Sequence, residues 1–234
     1  MEPPKSKRYI HYYDLSLEEL KTIDSLPKKP TILMHVCCGP CSCFPLTFLC
    51  PHFDVTLYYE NSNIYPEEEF KKRLATLEEL LGDIKKDYGY DVKLAVAPYD
   101  HEGFMAPLRP YADCPERGER CWRCYQKRMA IAYDYAEENG FDYFTTVMTV
   151  SREKDSQILN YLGAQLEKGH PRTKYFYSDF KKHEGFEKGK QMRIRYGLYY
   201  QEYCGCEYSL ANRLKQEKAK ALSTSSENKN SSEK

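Results

Sequence analysis

The chain has 234 residues, enough for one domain with a sizeable core, and its 41% hydrophobic and 30% charged content is that of a globular protein. Its 35 basic residues balance 35 acidic ones, which argues against a general polyanion-coating protein and leaves room for a local basic face. No apolar run approaches the roughly 20 residues needed to cross a bilayer, and the start, residues 1–8, lacks the apolar core of a signal peptide. A soluble, cytoplasmic protein with no membrane partner is expected.

Residues 1–8 are polar and expected to be disordered. Thr31–Val36 and Asp54–Tyr59 read as the first two strands. Pro66 then stands where a helix start tolerates proline, and Glu67–Glu69 suit the positive end of a helix dipole. Phe70, Leu74, Leu77, Leu81 and Ile84 recur at three- and four-residue spacing, which predicts a helix with one apolar face. Asp91–Ala97 reads as the third strand. A second helix is expected from near Cys121 through Tyr125, Met129, Ala132 and Ala136 until Gly140 ends it. Asp142–Met148 reads as the fourth strand. Ser151, a good N-cap, opens a third helix carrying Ile158, Leu162 and Leu166 to Gly169. Lys174–Tyr177 is a weaker fifth strand.

Between Lys168 and Arg195 nine Lys/Arg face three acids, a net of +6, which reads equally as a solvated surface or as a local basic face. From about Lys215 the sequence turns Lys/Ser/Asn/Glu-rich and cannot bury enough apolar surface to order itself. The expected organisation is therefore one domain over residues 9–214 with a disordered polar tail over 215–234. Strands alternating with helices imply right-handed βαβ units and an α/β domain with a mainly parallel sheet of about five strands. Such sheets bind ligands at the carboxyl ends of their strands.

Seven of the ten cysteines fall in three tight groups: Cys37, Cys38 and Cys41; Cys121 and Cys124; Cys204 and Cys206. Disulfides are rare in a reducing cytosol, so this pattern points to metal or redox chemistry. The first group follows the first strand immediately, which puts it on the ligand-binding edge. Gly39 and Gly205 permit close backbone approach and positive φ, and Pro40 stiffens its turn. A structural zinc site is full with four ligands, so seven clustered thiols suit a Cys₄ iron–sulfur cluster plus a second metal or open redox positions better. Zinc and iron–sulfur both accept Cys₄ coordination, and the choice stays open on the residues alone. Cys43, Cys50 and Cys114 read as ordinary buried thiols.

His35-Val-Cys-Cys-Gly-Pro-Cys41, Asn61-Ser-Asn-Ile-Tyr-Pro66 and Cys121-x-x-Cys-Tyr-x-x-Arg-Met129 occur in this order, followed by Ser151-x-x-Lys-Asp155, Ser178-Asp-Phe-Lys-Lys182 and Gly197-Leu-Tyr-x-Gln-x-Tyr-Cys-Gly-Cys206. Over roughly residues 30–210 the chain resembles the QueH-type epoxyqueuosine reductases. The resemblance implies a Rossmann-like α/β fold and a tRNA-modifying oxidoreductase that removes the epoxide oxygen of epoxyqueuosine at the wobble position, leaving queuosine. It also implies a four-iron four-sulfur (4Fe-4S) cluster with an additional mononuclear iron close by, and an external electron donor. The stretch Phe186–Arg195 departs from the family's usual pattern, in which a serine and a more regular amphipathic helix are common.

Under this resemblance Cys37, Cys38, Cys41, Cys121, Cys124, Cys204 and Cys206 are the expected metal ligands. Asp113, Asp155, Asp179 and Tyr203 are candidate proton donors or partners of the metal ligands, although Asp155 and Asp179 also read as helix caps. Asn61, Asn63 and Tyr65 could hydrogen-bond to or stack on a wobble nucleotide splayed from its loop. Trp122 is expected to shield the cluster or to stack. Arg123, Arg128, Lys181 and Lys182 are candidate phosphate contacts. Two alternatives stand beside this reading. One is an ATP-dependent Rossmann-like tRNA thiolation enzyme carrying an iron–sulfur cluster, although Pro40 removes an amide that a phosphate cradle would use. The other is a zinc-binding module that recruits RNA or protein.

Overall fold

The computed structural model describes residues 8–231, with side chains through residue 220. Helices α1 (Tyr12–Asp24), α2 (Gly39–Leu49), α3 (Glu67–Tyr88), α4 (His101–Met105), α5 (Glu119–Glu138), α6 (Ser156–Glu167), α7 (Gly185–Arg195) and α8 (Glu207–Ser231) alternate with strands β1 (Thr31–His35), β2 (Asp54–Tyr59), β3 (Lys93–Val96), β4 (Tyr143–Thr146) and β5 (Lys174–Tyr175). The strands form one sheet in the order β3-β2-β1-β4-β5, every pair parallel. His35 stands opposite both Tyr58 on β2 and Thr146 on β4, so these three strands end level.

Strand alternation sends side chains to two cores. Ile32, Met34 and Val36 pack into one with Leu46, Leu77 and Leu80. Leu33 enters the other with Met129, Ala132, Phe144 and Leu159. Helices thus cover both faces, as an all-parallel sheet requires. Chain order reverses between β1 and β4, and this switch point leaves a crevice at the carboxyl ends of those strands.

The α3 helix ends at Gly89 in the left-handed region, and its buried residues include Phe70, Leu77 and Ile84 of the expected stripe. Pro66 is its N-cap rather than its first residue. Ser151 does not cap α6. A 3₁₀ turn over Val147–Val150 ends at Ser151, and Asp155 caps the helix by accepting from the Gln157 amide at 2.8 Å. The α2 helix escaped the sequence reading because Pro40 and Pro45 look like breakers. Pro40 sits in the first turn, where no amide partner is lost.

Residues 1–7, expected to be disordered, lie outside the described residues. In the expected tail, residues 215–220 are all exposed and the later side chains are not described. Among the described residues no helix is long and apolar enough to cross a membrane.

Candidate metal centre

β1 runs through Val36 directly into Cys37 and Cys38. Cys38 holds extended backbone as the N-cap of α2, and Cys41 lies in the helix's first turn. The three sulfurs lie within 4.8 Å of one another. Cys38 Sγ is 2.8 Å from Cys41 Sγ and 3.8 Å from Cys37 Sγ, well beyond the ~2.05 Å of a disulfide; all three are free thiols. Cys37 is held well below the usual thiol range because the Cys38 and Cys41 thiols donate to it, with Arg128 and Lys154 adding positive charge. Burial pushes Cys38 up, and the bond to the Cys37 thiolate pushes Cys41 up. The group sits at a helix N-terminus, which favours negative charge on sulfur.

Cys121 and Cys124 sit three residues apart in the first turns of α5. Cys204 and Cys206 flank Gly205, whose φ of 121° turns the chain sharply. Burial raises the Cys121 thiol, and the neighbouring Cys204 and Cys206 sulfurs raise it further. Cys124 is raised by burial against the opposing charge of Arg128, again with help from Cys204, Cys206 and Cys121. Cys204 and Cys206 thus act on both α5 thiols, although among the described residues only Cys37, Cys38 and Cys41 bring three sulfurs within 4.8 Å. Amides steady Cys121 and Cys206: Arg117 N donates to Cys121 Sγ at 3.2 Å and Ser209 N to Cys206 Sγ at 3.4 Å.

Buried Arg73 and Arg128 and half-buried Lys154 are the cations of this region. Arg128 feels Cys124, Cys37 and Cys204; Lys154 feels Cys204, Cys37 and Cys41. Arg73 donates to the Cys204 and Tyr203 carbonyls at 3.2 and 3.1 Å and pairs with Glu69 at 2.7 Å. Gln201 Nε2 reaches Cys38 Sγ at 2.9 Å, which joins the third segment to the first. A cavity of about 700 Å³ opens over this assembly, with Cys37, Cys41, Cys121, Cys204 and Cys206 in its wall. The residues after β4, Val147 to Lys154, contribute another part of that wall. Soft sulfur donors from three segments, with cations beside them, make a donor set suited to a metal cofactor.

Of the other expected site residues, Tyr203 lines the cavity. Its hydroxyl donates to the Tyr65 carbonyl at 2.5 Å, and burial pushes its pKa up to about 12. The three aspartates lie outside the cavity wall. Asp113 is exposed, Asp155 caps α6, and buried Asp179 accepts from Ser156 and pairs with Lys181. Asn61 and Asn63 are buried, so neither is free to meet a nucleotide from solvent; Tyr65 is exposed. Trp122 packs inside the second core, which removes it as a stacking face. Arg123 pairs with Glu119, Lys181 with Asp179, and Arg128 is buried. Only Lys182 stands on the surface, beside Tyr9 and away from the cavity.

The family model described as "Epoxyqueuosine reductase QueH" matches residues 32–212, a span that takes in every cysteine of the centre. The chain belongs to this family. Among proteins named epoxyqueuosine reductase QueH, that of Streptococcus pyogenes serotype M1 is 36% identical over 198 residues, covering 84% of this chain and 77% of its own. That of Staphylococcus aureus strain Mu50 is 38% identical over 183 residues, covering 77% and 76%. The Thermotoga maritima protein is 26% identical over 183 residues, covering 78% of this chain and 92% of its own. These relatives favour neither the thiolation enzyme nor the zinc module.

Within this QueH-family centre, sequence reasoning missed Arg73, Lys154 and Gln201. Arg73 ends the basic run Lys71-Lys72-Arg73, and only its i, i+3 spacing from Phe70 sets it on the apolar face of α3. Lys154 and Gln201 stand inside quoted motifs, but nothing local marks them as facing sulfur.

Proposed function

We infer that the protein is a metal-dependent epoxyqueuosine reductase acting on tRNA. The observation that carries this reading is the meeting of cysteines from three distant segments in the wall of one cavity, at the carboxyl edge of the sheet, in a QueH-family chain. Conversion of the epoxide to the cyclopentene takes two electrons and two protons and releases the oxygen as water.

On this reading the two centres use different thiols. Cys121, Cys124, Cys204 and Cys206 match the four ligands of a 4Fe-4S cluster. Cys37, Cys38 and Cys41 would hold the additional mononuclear iron and leave a coordination position open. When bound, these centres supply electrons from an external donor and a Lewis acid.

The remaining steps belong to the chain. Arg73, Arg128 and Lys154 offset the negative charge of the thiolates. Gln201 fixes the orientation of the Cys38 and Cys41 sulfurs. Of the four proton-donor candidates, Tyr203 is the one facing the cavity, and it holds its proton at Oη throughout the neutral range. Asp113, Asp155 and Asp179 serve the surface, a helix cap and a buried network. Asn61 ties Arg128 to the Val36 carbonyl, and the Tyr65 carbonyl holds Tyr203.

The test is anaerobic reconstitution with iron and sulfide, then incubation with epoxyqueuosine tRNA and a reductant. Loss of one oxygen mass from the nucleoside, with at least four irons and acid-labile sulfide per chain, is expected. A zinc-only protein that leaves the nucleoside unchanged would overturn the assignment.

A further inference from the structure

The rim of the cavity carries two stacked pairs. On one side the Arg152 guanidinium lies 3.8 Å from the centroid of the Phe186 ring. On another, Arg193 lies 4.6 Å from that of Tyr200. All four residues line the same cavity as the cysteines.

Their arrangement follows from how α7 is seated. Gly185 and Gly189, four apart and both buried, turn one face of the helix onto Phe44 of α2. The adjoining stripe at i, i+4 and i+7 is Phe186, Lys190 and Arg193, and it faces the cavity. Tyr200 is 53% exposed, and Arg152 is also exposed. Among the described residues neither Arg152 nor Arg193 has a carboxylate within 4 Å, whereas three of the four carboxylates lining the cavity are matched, Glu153 by Arg117, Glu187 by Lys190 and Glu202 by Arg213, the fourth being Glu116. The rim therefore presents flat rings backed by unneutralised guanidinium groups. Such surfaces take unpaired bases on their faces and phosphates at their edges.

We propose that Arg152–Phe186 and Arg193–Tyr200 form a clamp for unpaired nucleotides of an RNA loop, holding the bases that flank the one entering the cavity. This rests on the RNA-directed reading of the site, and it moves the RNA contacts from Arg123, Lys181 and Lys182 to the rim. It also gives part of the basic stretch from Lys168 to Arg195 a specific task.

The experiment measures fluorescence anisotropy of the reconstituted full chain with a labelled RNA hairpin carrying an unpaired loop, and with a fully paired RNA of equal length. The hairpin is expected to bind about tenfold or more tightly than the duplex. Phe186→Ala and Tyr200→Ala should each weaken hairpin binding by about fivefold or more, the scale of one lost base stack, and leave duplex binding unchanged. Tyr200→Phe, which keeps the ring, should bind like wild type. Arg193→Gln should lower the slope of log affinity against log salt by about 0.7, the value of one single-strand phosphate contact. Alanine variants that bind the hairpin normally, or that weaken hairpin and duplex equally, would overturn the clamp. A wild-type protein that prefers the hairpin yet reduces no epoxide would leave the clamp standing and remove the reaction. Epoxide reduction with normal hairpin binding by the alanine variants would do the reverse.

Discussion

Arg128 and Asn61 form a buried pair in which Nη2 donates to Oδ1 at 2.6 Å. Asn61 Nδ2 donates in turn to the Val36 carbonyl at 2.8 Å, the residue immediately before Cys37. Arg128 lies one helical turn after Cys124 on α5. Two side chains therefore set the position of the first cysteine group against the second. Truncation in Asn61→Ala strands a guanidinium donor and a carbonyl inside the protein, each costly when unpaired. The expected loss is ~2–4 kcal/mol by urea unfolding, together with less iron retained per chain after gel filtration. Unchanged stability would show that the pair does not connect the segments.

Gly205 is similarly committed. Its φ of 121° is unfavourable for a side chain, and an added Cβ would lie 3.0 Å from Arg73 Nη1 and 3.1 Å from Ile64. The Arg73 guanidinium that holds the Cys204 carbonyl would have to give way to a side chain there. Gly205→Ala is expected to cost ~1–3 kcal/mol of strain and to lower the melting temperature. The iron-to-protein ratio should fall further than it does in Gly82→Ala, where an added Cβ meets nothing within 4 Å.

The sheet was legible because its strands are short apolar runs separated by one strongly periodic helix and two weaker ones. The cysteines were legible because thiol spacing is a local property. What the sequence concealed is set by packing across distance. Asn61 reads as a nucleotide contact and Arg128 as a phosphate contact, yet they find each other across 67 residues. The α7 stripe was hidden because Gly185 and Gly189 read as weak helix formers, although they let the helix lie close to Phe44. Asp113, Asp155 and Asp179 drew attention as carboxylates near motifs, and proximity in sequence did not bring them to the cavity.

The cysteines outside the centre should behave differently from those within it. Cys43 is buried in the first core, its thiol donates to the Gly39 carbonyl at 3.6 Å, and burial pushes its pKa up to about 12. Its sulfur is committed to the core and to the Gly39 carbonyl rather than to the other sulfurs of the centre. Cys43→Ala is expected to cost ~1 kcal/mol for the lost atom and to keep the full iron content and visible absorbance. Cys38→Ala should lose a substantial part of the bound iron with a comparable effect on the metal-free fold. Equal iron in the two variants would remove Cys38 from the ligand set.

His35 predicts a pH dependence. Burial, together with the nearby Arg128 charge, lowers its pKa to about 3. Both ring nitrogens are satisfied in the neutral form: Nε2–H donates to the Glu60 carbonyl at 3.3 Å, and Nδ1 accepts from the Thr146 hydroxyl at 2.9 Å. A second proton on Nδ1 would face that hydroxyl, which would have to turn away, and would place a cation near Arg128 where water cannot reach. Unfolded, the ring has its ordinary pKa near 6.5. Between about pH 6.5 and 3 the unfolded chain therefore binds a proton that the folded chain refuses, and stability falls as pH falls. The contribution is fully present above pH 6.5, and about 2 kcal/mol of it is lost by pH 5. Glu60 opposes this, because burial raises its carboxyl pKa and acid relieves that cost. The histidine term is isolated by comparing wild type with His35→Asn in urea at pH 7.5 and pH 5, using metal-free protein so that acid release of iron does not enter. The wild-type loss of stability should exceed the variant's by about 2 kcal/mol, and the His35 imidazole should remain neutral by NMR at pH 5. A protonated ring at that pH would show that the carboxyl edge of β1 is open to water.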